Sequence, residues 1–468
     1  MHTLSIADAH QILYDLEEKH DLLQYRAGNW SIWPALRWDF FNSLTSQKVI
    51  QEKTSWPIVN MVQIALEDIL AYLTLHQAKY LILTKDLNLR EKDGEYYKDV
   101  FFDDLLLRMN DFVKVDTLQN AAFFTARKNA LIKSQCSLTL FRKLPSLFSA
   151  RVASTEIKKT AQVLSKILAP YTQVARYSPR ALQHFFLNFE TSRQLFGWFL
   201  DQVQPSFLFI LNAHGYPSFI AAAKERNIKV LEFQHGIIYK YHPGYSWNSY
   251  ARPYKGSMPI PDTIFLYGAF WKDVLEEIGF WSDELQVVGS PRLDHYRSFS
   301  STASSAVRLA VTTQPLVPPK MYCDYFRKFL QLATGHIEVE ITIKLHQRET
   351  NKEAYKAGFP DPERVKVVLN NEPPSTLELL KTADIHLSIA STCHYEALAL
   401  GTPTVILPFV DLEAMLPLIN LGYGIICEKP EDLFKMITNH EYQPVNDQIS
   451  ERFFRPNAIE NILDFVSS

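Results

Sequence analysis

Between residues 306 and 428, six short apolar and largely β-branched runs alternate with helix-like stretches, and few architectures accept that order. The runs are 306–313 (AVRLAVTT), 339–346 (VEITIKLH), 365–370 (VKVVLN), 384–390 (DIHLSIA), 403–408 (PTVILP) and 424–428 (GIICE). Helical patterns fall near 320–334, 374–382, 392–400, 411–420 and 431–438. Strands apolar on both faces and joined by crossover helices build a parallel sheet with helices on both sides. The spacing therefore predicts a Rossmann-like α/β domain over 301–468.

The N-terminal half follows a looser version of the same grammar. KYLILTK (79–85), FVKVDT (112–117), SFLFILN (206–212), IKVLEFQH (228–235) and DTIFLYG (262–268) read as buried strands, with 218–227 as a crossover helix. A second α/β domain over 1–300 follows, with a helical insertion at about 121–204. The serine-rich 297–307 has linker composition. At 468 residues the chain is long enough for two cores.

Composition removes several classes. Forty-eight Lys and Arg face 51 Asp and Glu, so no global charge favours nucleic acid. Cys136, Cys323, Cys393 and Cys427 lie far apart, which argues against a zinc knuckle or a disulfide framework and fits a reducing cytoplasm. The first 21 residues read as an amphipathic helix without the pattern of a secretory signal, and no window is apolar enough to span a membrane. From 121 to 200, however, twelve basic residues face two acidic ones, interleaved with Leu144, Leu147, Phe148, Val163 and Leu164. That segment suits peripheral docking on anionic lipid at the inner face of the membrane, or a solvated helical face. Trp30, Trp33 and Trp38 surround Pro34, a spacing that favours core packing over sugar stacking.

Ligands of open parallel sheets bind outside the carboxyl ends of the strands. Ser391 and Thr392 stand between a strand and a helix, where the N-terminal N–H groups suit a phosphate or simply need a cap. Lys344 and His346 end a strand beside Arg348, and two cations with an imidazole suit an anionic nucleotide or a solvated basic loop. Gln234, His235 and Gly236 end another strand, with Lys240 beyond it. Gly236 permits close backbone approach, and a near-neutral imidazole can accept a hydroxyl proton. His214 ends the preceding strand. Gly289, Arg292 and Asp294 follow, as ligand contacts or as a structural Arg–Asp pair. The spacing of His214, His235 and His242 is no recognised metal site, and the chain contains no Asp-x-Asp. No metal or other cofactor is expected.

These residues carry a resemblance across about 205–410. S-T-x-x-x-E-A-x-x-x-G-T-P, from Ser391 to Pro403, resembles the donor-nucleotide segment of GT-B glycosyltransferases, which implies phosphate contacts at Ser391 and Thr392 and a nucleotide contact at Glu396. His394 has no counterpart there. The 344–346 K-L-H is similar to the K-x-H-P element of bacterial sialyltransferases, capsule Kdo-transferase-like proteins and CDP-glycerol polymerases, with Gln347 in place of the proline. His235, Gly236 and Lys240 match the polymerases' H-G-x-x-x-K, and Gly289, Arg292 and Asp294 match their G-x-P-R-x-D at the cleft. The resemblance implies a GT-B-like fold, two Rossmann-like domains facing a central cleft. It further implies a metal-independent glycosyltransferase of capsule or lipopolysaccharide synthesis. The donor would be a nucleotide sugar, CMP-linked and acidic first and UDP-linked second; the acceptor would be a surface-polysaccharide or lipid-linked glycan. His235 is then the expected base and His214 the next candidate. A CDP-polyol phosphotransferase of teichoic-acid type and a non-catalytic nucleotide-sugar-binding subunit are the alternatives.

Overall fold

Two separate parallel sheets organise the chain. The computed structural model describes residues 4–45, 75–85, 90–93, 96–117, 135–137, 154–172, 175–297, 304–359, 364–410 and 412–468, with isolated helical positions between 62 and 73. The first compact unit comprises Met1–Leu266 and Lys272–Gln286, and the second Tyr267–Trp271 and Val287–Ser468.

The first sheet has seven strands: β1 (Tyr80–Lys85), β2 (Phe112–Thr117), β3 (Gln135–Ser137), β4 (Phe207–Leu211), β5 (Lys229–Phe233), β6 (Thr263–Leu266) and β7 (Leu285–Val287). Their order is β7-β6-β5-β4-β1-β2-β3, and the pairings from β6 across to β3 are parallel. Leu208, Ile210 and Val230 carry the sheet's side of a core closed by Phe196, Phe199, Phe219 and Ile220 from two helices. The three-residue β3 and β7 escape a periodicity reading, because a strand that short shows no repeat.

The second sheet has six: β8 (Val307–Thr312), β9 (Val339–Lys344), β10 (Val365–Val368), β11 (Ile385–Ser388), β12 (Thr404–Ile406) and β13 (Gly424–Ile426). All pairings are parallel, in the order β10-β9-β8-β11-β12-β13. This is the doubly wound order, with a switch point between β8 and β11 where chain direction across the sheet reverses. Ile341, Ile343, Leu387 and Val405 pack against Tyr322, Phe326 and Phe329 of the helix Pro319–Ala333.

Helix α1 (Ile6–His20) starts where Ser5 accepts from the Asp8 N–H and stops at Asp21, whose φ of 45° breaks the helical path. Helix α2 (Trp33–Thr45) opens on Trp33 and Pro34. Trp30 and Trp33 are core residues, as their spacing predicts. Trp38 is a correction: it is half-buried and its indole stacks on His214, ring centroids 4.2 Å apart.

Arg127, Lys128, Lys133, Arg142, Lys143 and Arg151 of the basic segment lie outside the described residues, as do Leu144, Leu147 and Phe148. Of the remainder, Arg176 pairs with Asp39, and Arg193 with Glu190 and Glu225. Among the described residues no helix is long and apolar enough to cross a membrane.

Candidate functional site

At the carboxyl end of the second sheet, four elements shape one crevice lip. The β9 chain leaves the sheet through Leu345 and His346, and the His346 N–H donates to Thr313 Oγ1 at 2.9 Å. Thr313 donates in turn to Glu349, which also accepts from Tyr355. The Arg348 N–H donates to His346 Nδ1 at 3.2 Å, so a neutral imidazole carries its proton on Nε2. Burial, with the Arg348 cation beside it, holds this imidazole down to about 4. His346 is therefore a fixed, neutral Nε2–H donor, and Arg348 is exposed beside it. Thr313 and Glu349 are site-shaping residues that sequence reasoning missed; Glu349, three residues after His346, was the available signal.

Lys344 needs a correction. Its place at a strand end suggests a cation presented to an anionic ligand. Its ammonium is instead buried and donates to the Glu372 and Pro374 carbonyls at 2.5 and 2.7 Å, bracing the turn that follows β10.

Across the switch point, β11 leads into the 389–392 turn. Ser391 is buried and its Oγ accepts from the Cys393 N–H at 3.2 Å. Thr392 occupies the N-cap of the helix Cys393–Ala399 without a side-chain cap bond, so the capping falls to Ser391 alone. Glu396, on that helix, lies 3.3 Å from Arg292. Arg292 and Glu396, expected separately, thus meet each other.

His394 has a structural account. Its Nε2 lies 2.6 Å from the Ile389 carbonyl and so must donate, which leaves Nδ1 to accept from Thr404 Oγ1. Thr404 then accepts from His386 Nδ1, and His386 Nε2 accepts from Thr312 Oγ1 at 2.9 Å. This directed chain ties β8, β11 and β12 to the 389–392 turn. It works only with both rings neutral. Burial pushes His394 down to about 4 and His386 well below its ordinary value. Native values below the unfolded ~6.5 mean that the unfolded chain binds more protons, so stability is lost as pH falls from about 6.5 toward 4. Urea unfolding of the second unit should cost roughly 2 kcal/mol less at pH 5.5 than at pH 7 from these two groups. Equal stability at both would contradict the neutral chain.

Gly289 and Asp294 serve the C-terminal segment of their own unit. A Cβ at Gly289, where φ is 102°, would sit 2.2 Å from the Arg455 carbonyl. Asp294 accepts from the Ala458 N–H at 2.6 Å, capping the last helix, Ala458–Ser467. Within the G-x-P-R-x-D segment, Arg292 alone reaches another expected site residue.

In the first unit, β4 and β5 end side by side. β4 leads into Ala213–Gly215 and His214, and β5 into Gln234, His235 and Gly236. Gln234 is buried, its N–H on the Phe265 carbonyl and its Nε2 on Gly236 O at 2.9 Å, which fixes the turn bearing His235. His214 and His242 lie 6.2 Å apart, centroid to centroid. His242 Nδ1 accepts from the Gly244 N–H, and burial, with His235 nearby, holds it down to about 3. Lys240 is exposed on the same loop.

The chain's first helices hold that loop. Ser246 bonds both His10 and Tyr14 of α1, at 2.9 and 2.7 Å. Arg37 of α2 donates to the Pro243 carbonyl and lies over the Trp247 ring at 4.0 Å. It also pairs with Glu17 of α1 inside the core, where Glu17 accepts from Trp33 at 2.7 Å. Tyr250 and Tyr254 both donate to Asp21. Nothing in the first 45 residues signals this by motif.

No family model matches the sequence, and no curated protein matches it. Solved structures do resemble the chain. A UDP-N-acetylglucosamine 2-epimerase aligns with a TM-score of 0.51 at 14% identity, over 84% of this chain and 96% of its own. The UDP-GlcNAc 2-epimerase of Methanocaldococcus jannaschii gives 0.49 at 14%, over 83% and 99%. MurG of Acinetobacter baumannii gives 0.47 at 12%, over 83% and 99%. At such identities the likeness speaks for the fold: the chain carries two Rossmann-like α/β domains of GT-B type, as its sequence leads one to expect.

Proposed function

We propose that the chain is a metal-independent glycosyltransferase that moves a sugar from a nucleotide donor to a glycan acceptor of the cell envelope. One observation carries the donor half of this reading. His346 is held as a neutral Nε2–H donor at a strand end beside the β8/β11 switch point, with Arg348 exposed next to it. A preset N–H donor and a free-standing guanidinium are what a nucleotide phosphate asks of a crevice. In this reading His346 and Arg348 contact the phosphate, Ser391 and Thr392 line the facing turn, and Glu396, oriented by Arg292, meets the nucleoside. Lys344 braces from beneath.

The donor is a CMP-linked acidic sugar on the strength of the K-L-H and S-T elements. UDP-sugars are the second class, because the first fold relative is named for UDP-N-acetylglucosamine. His235 takes the acceptor hydroxyl proton.

Calorimetry with CMP, CDP, UDP and GDP tests the donor half. His346→Ala should weaken the tightest of them by about 1.5–3 kcal/mol, the range for hydrogen bonds to charged groups, with the fold intact. Equal affinity in the variant would reject the phosphate assignment. Consumption of nucleotide sugar without dependence on any acceptor would point instead to epimerase chemistry.

A further inference from the structure

Glu232 stands fourth in the apolar strand β5 and is 2% exposed. One of its carboxyl oxygens, Oε1, accepts from the Ala213 N–H at 2.8 Å and from Tyr245 OH at 2.9 Å. Ala213 begins the turn that carries His214, and Tyr245 lies in the loop that carries His242. A single buried carboxyl therefore joins the two segments that bear His214 and His242. It helps line a recess together with Trp38, His214, Pro243, Gly244 and Trp247. The recess holds about 20 Å³, room for one water and for no sugar ring. Glu232 acts on the loops, then, and not on a glycan directly.

We propose that Glu232 is the positioning residue of the acceptor-side histidines, setting the His214 turn and the His242 loop through its two hydrogen bonds and tightening both when it ionises. The inference rests on the transferase reading for its consequence in catalysis, and on geometry alone for the coupling. A glutamine would accept the same two bonds without the desolvation penalty of a buried charge, so what the carboxyl adds is a proton that can leave. Burial raises it to about 7, against the pull of the Ala213 and Tyr245 bonds, so both forms are populated near neutrality. Ionised, it turns both bonds into charge-assisted ones, which are shorter and stronger. The groups around it are Tyr245 from the loop and His214 from the turn; His242 reaches it only through the Tyr245 ring, with His235 beside His242 and the Arg37 cation over Trp247.

His242 supplies a readout that needs no activity. Burial holds its ring down to about 3, well below the range of the experiment, and the ring lies 4.7 Å from the Tyr245 ring, so an inflection of its resonance near pH 7 reports a neighbour's titration. In protein labelled with ¹³C-histidine, the His242 signal should inflect near pH 7 and lose that inflection in Glu232→Gln. In Tyr245→Phe the midpoint should move upward, because one bond that favours the carboxylate is gone. This second variant decides the matter if Glu232→Gln fails to fold. A flat wild-type signal, an inflection that survives Glu232→Gln, or an unmoved midpoint in Tyr245→Phe overturns the coupling. In a transfer assay the acid limb of kcat/KM should lose the slope of one proton in Glu232→Gln, with nucleotide affinity unchanged; an unaltered limb overturns the positioning role. Coupling in the spectra with no transfer by wild-type protein would reject the transferase reading and leave the coupling standing.

Discussion

His235→Ala is expected to lower sugar transfer by about 10²–10⁴, the usual contribution of a positioned acid or base, while nucleotide affinity stays at the wild-type value. The separation follows from where the residues stand. His235 leaves β5 in the first unit, whereas His346, Arg348 and the 389–392 turn belong to the second. The Gln234 bonds to Phe265 and Gly236 hold the backbone at His235, so the substitution should remove an imidazole and not a turn. Transfer with labelled nucleotide sugar, run beside direct nucleotide binding, measures both quantities. Wild-type turnover in the variant would reject His235 as the base, and His214, at the end of the neighbouring strand, would take its place. A loss of nucleotide affinity equal to the loss of rate would show that His235 serves the donor.

Arg37→Met should destabilise the first unit by about 3–5 kcal/mol, because it strands the Glu17 carboxylate inside the core. Arg37 and Glu17 are 1% and 0% exposed, so solvent cannot take over the missing charge. Pairing the change with Glu17→Gln should recover more than half of the loss: the amide removes the buried charge and still offers an oxygen to Trp33 Nε1. Activity should not recover with it, since neither variant restores the bond to Pro243 or the cation over Trp247. Urea unfolding and transfer rate, measured on both proteins, check the two halves separately. A single variant as stable as wild type would mean that the pair contributes nothing to the fold, and an active double variant would remove the loop-holding role of Arg37.

The layer architecture was legible because parallel strands buried on both faces leave continuous apolar runs, and 206–212, 339–346 and 384–390 announce themselves that way. What the runs concealed were the polar residues inside them. Glu232 sits between Leu231 and Phe233, where a strand reading sees only β5; its meaning comes from Ala213 and Tyr245, residues 19 and 13 positions away. Lys344 misleads for the converse reason. A cation at a strand end suggests a ligand, yet its acceptors are carbonyls 28 and 30 residues downstream, which no local pattern reveals. Trp38 shares the spacing of Trp30 and Trp33 but not their burial, because its side of α2 faces His214. His394 found no counterpart in the resemblance because its role is internal: it points at Thr404 and the Ile389 carbonyl.

The hold of α1 and α2 on the 236–254 loop also bears on the order in which the protein is made. The bonds from His10 and Tyr14 to Ser246, and from Arg37 to Pro243, close spans of 236, 232 and 206 residues. Contacts that distant cannot form until most of the first unit has left the ribosome, and loop closure over such spans makes folding slow. Until then the amphipathic α1 has no loop to cover, and the loop has no roof. His214 and His242 should therefore be among the last features of the first unit to acquire their native geometry, well after strands β4 and β5 have paired.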